Sequence, residues 1–293
     1  MVSKNQIALM QMVSSADPIA NMQQLREQLA AYDFAAVKML VLPENFAAYG
    51  SPNYQRIAQQ EGVALIHWLT TREAPADSII GQLVQLAQSH KIWIVAGTLP
   101  IASDQVNSKP TATTLVIDDQ GELQGRYDKI HLFDALVADS QSHYRESDTY
   151  QHGRGLTVVD TPLGRLGLAV CYDLRFAEMF ACLRQMGAEL IALPSAFTWV
   201  TGKAHWRSLV QARAIETGCY FLAPNQGGQH NEKRKTWGHS MIVNPWGDVV
   251  AEMDEGPGMV TAAMELEAIH FARRSLPTQH HRISRRVNIT GLN

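Results

Sequence analysis

The chain has 293 residues, 46% of them hydrophobic, which is enough apolar content for a sizeable core. A net charge of −3 argues against a nucleic-acid partner, and no apolar run approaches the roughly 18 residues of a membrane span. Three cysteines, none in a Cys-x-x-Cys pair, point to neither a disulfide scaffold nor a metal site, and their odd count fits a reducing cytoplasm.

Strand and helix patterns alternate along the chain. Ile7–Met12 reads as a strand, and the opening residues run into it without the h-region of a signal peptide. Asp17 and Pro18 open a helix through about Phe34, with Met22, Leu25 and Leu29 on one face. Met39–Leu42 is a short apolar strand. A second helix is predicted from Ser78 to Ser89, followed by a buried strand over Ile92–Gly97. Thr113–Ile117 and Glu122–Tyr127 flank Asp118-Asp119-Gln120-Gly121, a hairpin signal. Gly167–Val170 reads as a strand running into a sharp turn and a helix. Leu190–Pro194 is a strand, and a helix follows from Gly202 to Thr217, with His205-Trp206 at its start. Cys219–Ala223 and Ser240–Asn244 are strands, and a turn at Pro245–Asp248 precedes Val249–Ala251. No repeat, low-complexity segment or linker interrupts this order, so one α/β domain over residues 1–293 is expected.

Three polar residues stand at the downstream ends of predicted strands: Glu44 after Met39–Pro43, Lys129 after Glu122–Asp128, and Cys171 after Gly167–Val170. In α/β architectures such ends are where sites assemble. A thiol at a strand-to-helix junction faces the first helix amides, which favour the thiolate and can donate to an oxyanion. With an ordinary pKa of ~8.5 a thiol still needs a general base at neutral pH, and Glu44 suits that role. Lys129 suits the stabilisation of a tetrahedral oxyanion, with the Tyr172 backbone N–H as a second donor. His131 reads as structural, and Cys182 and Cys219 as core thiols.

The segments Leu42-Pro43-Glu44-Asn45-Phe46, Tyr127-Asp128-Lys129-Ile130-His131-Leu132 and Cys171-Tyr172-Asp173-Leu174-Arg175-Phe176-Ala177-Glu178 resemble, in that order, the three motifs of the nitrilase (carbon–nitrogen hydrolase) superfamily. The resemblance runs from Gln6 to about Arg282. It implies an αββα sandwich whose helical face pairs with another subunit as αββα–αββα, giving a homodimer or larger homo-oligomer. It also implies a cofactor-free Glu–Lys–Cys amidase acting on non-peptide C–N bonds, with a second glutamate near the lysine. Glu146, in Arg145-Glu146-Ser147, matches that place. The locally basic tail, about 270–293, is expected at an oligomer contact.

Arg175, four residues after Cys171, suits either a substrate carboxylate, as in relatives acting on N-carbamoyl amino acids, or an ion pair with Asp173 or Glu178. Phe197 and Thr198 are expected to line the same site. Asn225–Arg234 and Trp237–Ser240 resemble the Nit branch. There the Glu-Lys-Arg loop and Glu255–Gly258 look closer to amidases that cleave deaminated glutathione than to the ω-amidases of 2-oxoglutaramate. Lys233, Arg234 and Lys235 are candidates for the far carboxylate of such a substrate. The segment from Asp134 to His143 departs from the loop expected in that branch, where it lies between Lys129 and Glu146.

Overall fold

The computed structural model describes residues 5–102 and 108–281, and residues 282–293 of the expected oligomer-contacting tail lie outside that range. The first half of the chain is built from β1 (Gln6–Gln11), α1 (Pro18–Ala30), β2 (Val37–Val41), α2 (Tyr54–Thr71), α3 (Ile79–His90), β3 (Trp93–Val95), β4 (Leu99–Ile101), β5 (Thr111–Ile117) and β6 (Leu123–Asp128). A small hairpin follows, β7 (Asp134–Leu136) and β8 (His143–Arg145). The second half runs through β9 (Val158–Thr161), β10 (Gly164–Leu168), α4 (Ala177–Gln185), β11 (Leu190–Ala192), α5 (Trp199–Thr217), β12 (Tyr220–Ala223), β13 (Met241–Val243) and β14 (Val249–Glu252). It ends in β15 (Gly258–Ala263) and α6 (Leu266–Ser275).

The strands form two main sheets. One has the order β15-β1-β2-β3-β5-β4 with β6 paired to β5, and the other β14-β13-β12-β11-β10-β9. Side-chain alternation along β1 shows the layering. Ile7 and Leu9 enter a core shared with Leu166, Leu168 and Phe221 of the second sheet, whereas Ala8 and Met10 face a separate core with Met22, Leu25, Leu65 and Leu83 of the helices. The β2 strand splits in the same way, Met39 and Val41 against Leu40. Helices α4 and α5 cover the second sheet, with Phe180, Trp206, Val210 and Ala214 buried. This is the expected αββα arrangement.

Several boundaries differ from the sequence pattern. Helix α1 begins as predicted, with the Asp17 carboxylate accepting from Ile19 N at 2.9 Å, but it ends at Ala30, short of Phe34. Asp33 captures the Ala35 N–H at 2.9 Å and forms an Asx turn instead. Helix α5 starts at Trp199, where Thr198 caps it, so His205 and Trp206 sit inside it. Helices α2 and α6, the β7–β8 hairpin, and strands β9 and β15 carry no clear signal in the sequence. Cys219 is buried as expected, whereas Cys182 is only half-buried.

Candidate active site

Each predicted site residue does stand just beyond a strand, and both sheets contribute. Glu44 follows β2 by three residues, and Leu42 N extends the pairing to Val95 O at 2.9 Å. Behind it the chain doubles close to β3. A Cβ on Gly97 would lie 2.0 Å from Pro43 O, and Gly97 has φ +32°, so only glycine fits there. Lys129 directly follows β6, held by its N–H to Ala112 O at 2.9 Å and by its carbonyl accepting from Gly153 N at 2.7 Å. Glu146 opens a single 3-10 turn after β8.

Cys171 lies three residues beyond β10, at the start of a 3-10 turn, Cys171–Arg175. Its φ of +45° is in the left-handed region, at a cost of about 1–3 kcal/mol for a non-glycine residue. Asp173 holds this geometry. Fully buried, its carboxylate accepts from Val170 N at 2.8 Å, from Tyr127 Oη at 2.7 Å and from His131 N at 3.1 Å, and it meets His131 Nδ1 at 2.6 Å. His131 also stacks on Phe176 with ring centres 3.7 Å apart, which fits the structural role read for it.

The four groups converge on one cavity of about 440 Å³, within the range of small-molecule sites. Lys129 Nζ donates to Glu44 Oε1 at 2.7 Å and to Glu146 Oε2 at 2.7 Å and Oε1 at 3.0 Å. Glu146 is itself fixed by the Phe133 N–H at 2.7 Å. Cys171 lines the same wall as Glu44, and the Glu44 carboxylate and the Ala196 N–H both act on its thiol. The Tyr172 N–H forms no hydrogen bond among the described residues, which leaves it free to donate.

Burial sets the electrostatics. It raises the Glu44 carboxyl above its ordinary 4.5, and Glu146 adds to this while Lys129 opposes it. Burial also disfavours the Lys129 ammonium, but Glu146 and Glu44 together outweigh it and hold the lysine well above its ordinary range. The Cys171 thiol is pushed well above 9.0, first by burial and then by Glu44. The expectation that helix amides favour the thiolate therefore does not hold. Helix α4 begins only at Ala177, and the Glu44 carboxylate pushes the thiol further up. Such a thiol reacts only if a base takes its proton, and Glu44 is in place to do so.

Phe197 and Thr198 lie beyond β11 against the thiol, as predicted, and border with Arg175 a recess of about 20 Å³, room for about one water. Arg175 forms no ion pair with Asp173 or Glu178. Its guanidinium lies 5.4 Å from the Phe197 ring centre and 5.8 Å from that of Tyr172, with His205 Nδ1 at 3.3 Å. Of the basic loop, only Arg234 lines the main cavity. Lys235 pairs with Glu255 at 3.0 Å and Lys233 is exposed. The hairpin supplies Gln141, His143 and Tyr144 to the cavity wall. Tyr49, Tyr54 and Tyr150 also line it, although nothing in their spacing marks them. Among the described residues no cluster of three or more His, Cys, Asp or Glu is poised for a metal, and no helix is long and apolar enough to cross a membrane.

Comparison with known proteins agrees with this geometry. The family described as Carbon-nitrogen hydrolase matches residues 6–274. A Yersinia enterocolitica protein named deaminated glutathione amidase is 38% identical over 94% of this chain and 92% of its own length. Among solved structures, the Caenorhabditis elegans NitFhit protein superposes with a TM-score of 0.83 at 36% identity, over 97% of this chain and 66% of that one. Saccharomyces cerevisiae Nit3, a member of branch 10 of the nitrilase superfamily, gives 0.77 at 29% identity over 93% and 94%.

Proposed function

This chain belongs to the carbon–nitrogen hydrolase family and is an amidase, and from that premise we propose that Cys171, Glu44 and Lys129 carry out its chemistry on deaminated glutathione. The observation that carries the catalytic assignment is that Cys171 shares one cavity with the hydrogen-bonded chain Glu44–Lys129–Glu146. Glu44 takes the thiol proton as Cys171 Sγ attacks the amide carbonyl. Lys129 Nζ and the Tyr172 N–H hold the oxyanion. The C–N bond breaks as Glu44 returns the proton to the leaving amine, and Glu44 then activates a water that hydrolyses the thioester. Glu146 positions Lys129 by accepting from its ammonium with both carboxylate oxygens. The carboxyl products are 2-oxoglutarate on the acyl side and cysteinylglycine on the amine side.

The substrate reading is supported by the relatives that bear that name and by the size of the cavity. Arg175, with Phe197 and Thr198, is assigned to the acyl end, where a carboxylate would fill the recess and shift the guanidinium. The protein acts as a homodimer or larger homo-oligomer through its helical face. The test is product release from deaminated glutathione and 2-oxoglutaramate side by side, with Cys171→Ala as the blank. The variant is expected to lose at least about 10⁴-fold in kcat with its circular dichroism unchanged, by analogy with nucleophile removal in other acyl-transfer enzymes. Substantial residual turnover removes Cys171 as nucleophile. A higher kcat/KM on 2-oxoglutaramate reassigns the protein to the ω-amidases.

A further inference from the structure

The cavity that holds Cys171 is lined by three permanent cations, Lys129, Arg145 and Arg234. Lys129 is neutralised by Glu44 and Glu146, and Arg145 Nε lies 3.5 Å from Asp148. Arg234 has no carboxylate partner among the described residues. Its guanidinium carbon lies over two aromatic rings, 5.6 Å from the centre of Tyr49 and 5.9 Å from that of Tyr144. Stacking on ring faces engages the guanidinium plane and leaves its N–H fork open at the edge.

Both rings are held from behind. Tyr49 stacks on His230 at 4.0 Å, and His230 is anchored by its Nδ1 to Ser14 O at 2.8 Å and its Nε2 to Thr236 Oγ1 at 2.7 Å. Burial, with Arg234 adding to it, keeps the His230 pKa down at about 4, so the ring is neutral at physiological pH. Tyr144 donates from Oη to Asp139 Oδ2 at 2.9 Å, which ties it to the turn of the β7–β8 hairpin. A free cation on a fixed aromatic mount is a receptor without its anion. The side of the substrate it receives follows from the order of bond breaking. The acyl group stays on Cys171 while the amine departs, so the amine half must face the open side of the cavity. Asn231, Glu232 and Lys233, next to Arg234, are exposed, which places Arg234 on that side.

We infer that Arg234, mounted on Tyr49 and Tyr144, receives a carboxylate on the leaving-amine half of the substrate and so makes the enzyme select amides of carboxylate-bearing amines. This deepens the proposed reaction and rests on it for the identity of the leaving group, cysteinylglycine. The β7–β8 hairpin, which contains the segment from Asp134 to His143 read as a departure from the Nit-branch loop, is then a specificity element because it carries Tyr144, the next residue.

The test compares deaminated glutathione with its C-terminal carboxamide, which keeps every atom of the reacting amide and removes only the leaving-side charge. The wild-type enzyme is expected to prefer the acid by at least tenfold in kcat/KM. Arg234→Ala is expected to bring that ratio close to one, chiefly through a rise in KM for the acid. Arg234→Lys keeps the charge but not the fork and is expected to fall between the two. A wild-type ratio near one, or a tenfold preference that survives in Arg234→Ala with thermal unfolding unchanged, overturns the inference. Calorimetric binding of the same two ligands to Cys171→Ala, with and without Arg234→Ala, separates the inference from the reaction. Acid-selective binding that needs Arg234, without turnover in the wild type, sinks the substrate reading and leaves the receptor. Absence of both binding and turnover sinks both.

Discussion

At the scale of single residues, Cys171 is held where it would not rest by itself. Its backbone is left-handed and its thiol is kept protonated by burial and by Glu44. Asp173 supplies the compensation, since four donors or ring atoms converge on its carboxylate and lock the turn. The pH profile should report the coupled Cys171–Glu44–Lys129 group rather than one member of it. Glu44 works as a base only when ionised, and its pKa is raised from 4.5, so the acid limb of kcat/KM is expected above 4.5. Because folded Glu44 holds its proton more tightly than an unfolded glutamate, its contribution to stability is complete below 4.5. That contribution is lost as pH rises through the folded value. The thiol, raised well above 9.0, should place no limb near neutrality. A kcat/KM profile with its acid limb at or below 4.5 would contradict the role given to Glu44.

At the scale of elements, α2 and α3 show how a buried charge organises helices far from the chemistry. Glu61, on α2 and buried, accepts from Ile79 N and Ile80 N, both at 3.0 Å, where α3 begins. Its carboxyl is raised by burial, while those two N–H bonds favour the charged form. Glu61→Ala is expected to destabilise the protein by about 1–3 kcal/mol, since two first-turn amides lose their acceptor in a buried place. Urea unfolding gives the shift, and an unchanged midpoint would show that water replaces the carboxylate. Helix α2 is hard to read in the sequence for a physical reason. Its buried residues Ile57, Ala58, Leu65 and Trp68 have helical spacing, but Val63, Ile66 and Leu69 on its outer side are also apolar and exposed. The contrast between faces is lost, and no side chain caps its start. The β7–β8 hairpin is equally silent, with three-residue strands of mixed polarity, Asp134-Ala135-Leu136 and His143-Tyr144-Arg145.

At the scale of the molecule, both helical layers leave apolar side chains uncovered, Val63, Ile66 and Leu69 on α2 among them. Over the second sheet, Met186 beyond α4 and Ile215 on α5 remain apolar and exposed, at 42% and 54%. Near them Trp246 and Phe271 pack at 5.7 Å with about half of each surface open. We propose this face, over the second sheet, for the oligomer contact. Sedimentation velocity is expected to give a dimer or larger species, and Ile215→Asp to shift the population toward monomer, because a charge there would be desolvated against the partner. A wild-type protein that sediments as a monomer at all concentrations would remove the assignment.

The sequence by itself determined the reaction class and pointed to Glu44, Lys129 and Cys171 as the trio proposed to carry it out. Short apolar strands ending in Glu44, Lys129 and Cys171 are local patterns, and the motifs around them are contiguous. The two-sheet layering was implied by the family resemblance alone, because a strand such as Ile7–Met10 is apolar at every position and its pattern does not tell one face from the other. The tertiary structure decided what depends on residues far apart in sequence meeting in space. It replaced the helix amides expected around the thiol with a 3-10 turn and a carboxylate, which deepens the need for Glu44 that the ordinary thiol pKa already implied. Of the basic loop it brought Arg234, and neither Lys233 nor Lys235, to the cavity wall. It also brought Tyr49 and Tyr144, 95 positions apart by their numbers, to the same guanidinium. Local spacing encodes strands and caps, but the charge state of a group is set by everything packed around it.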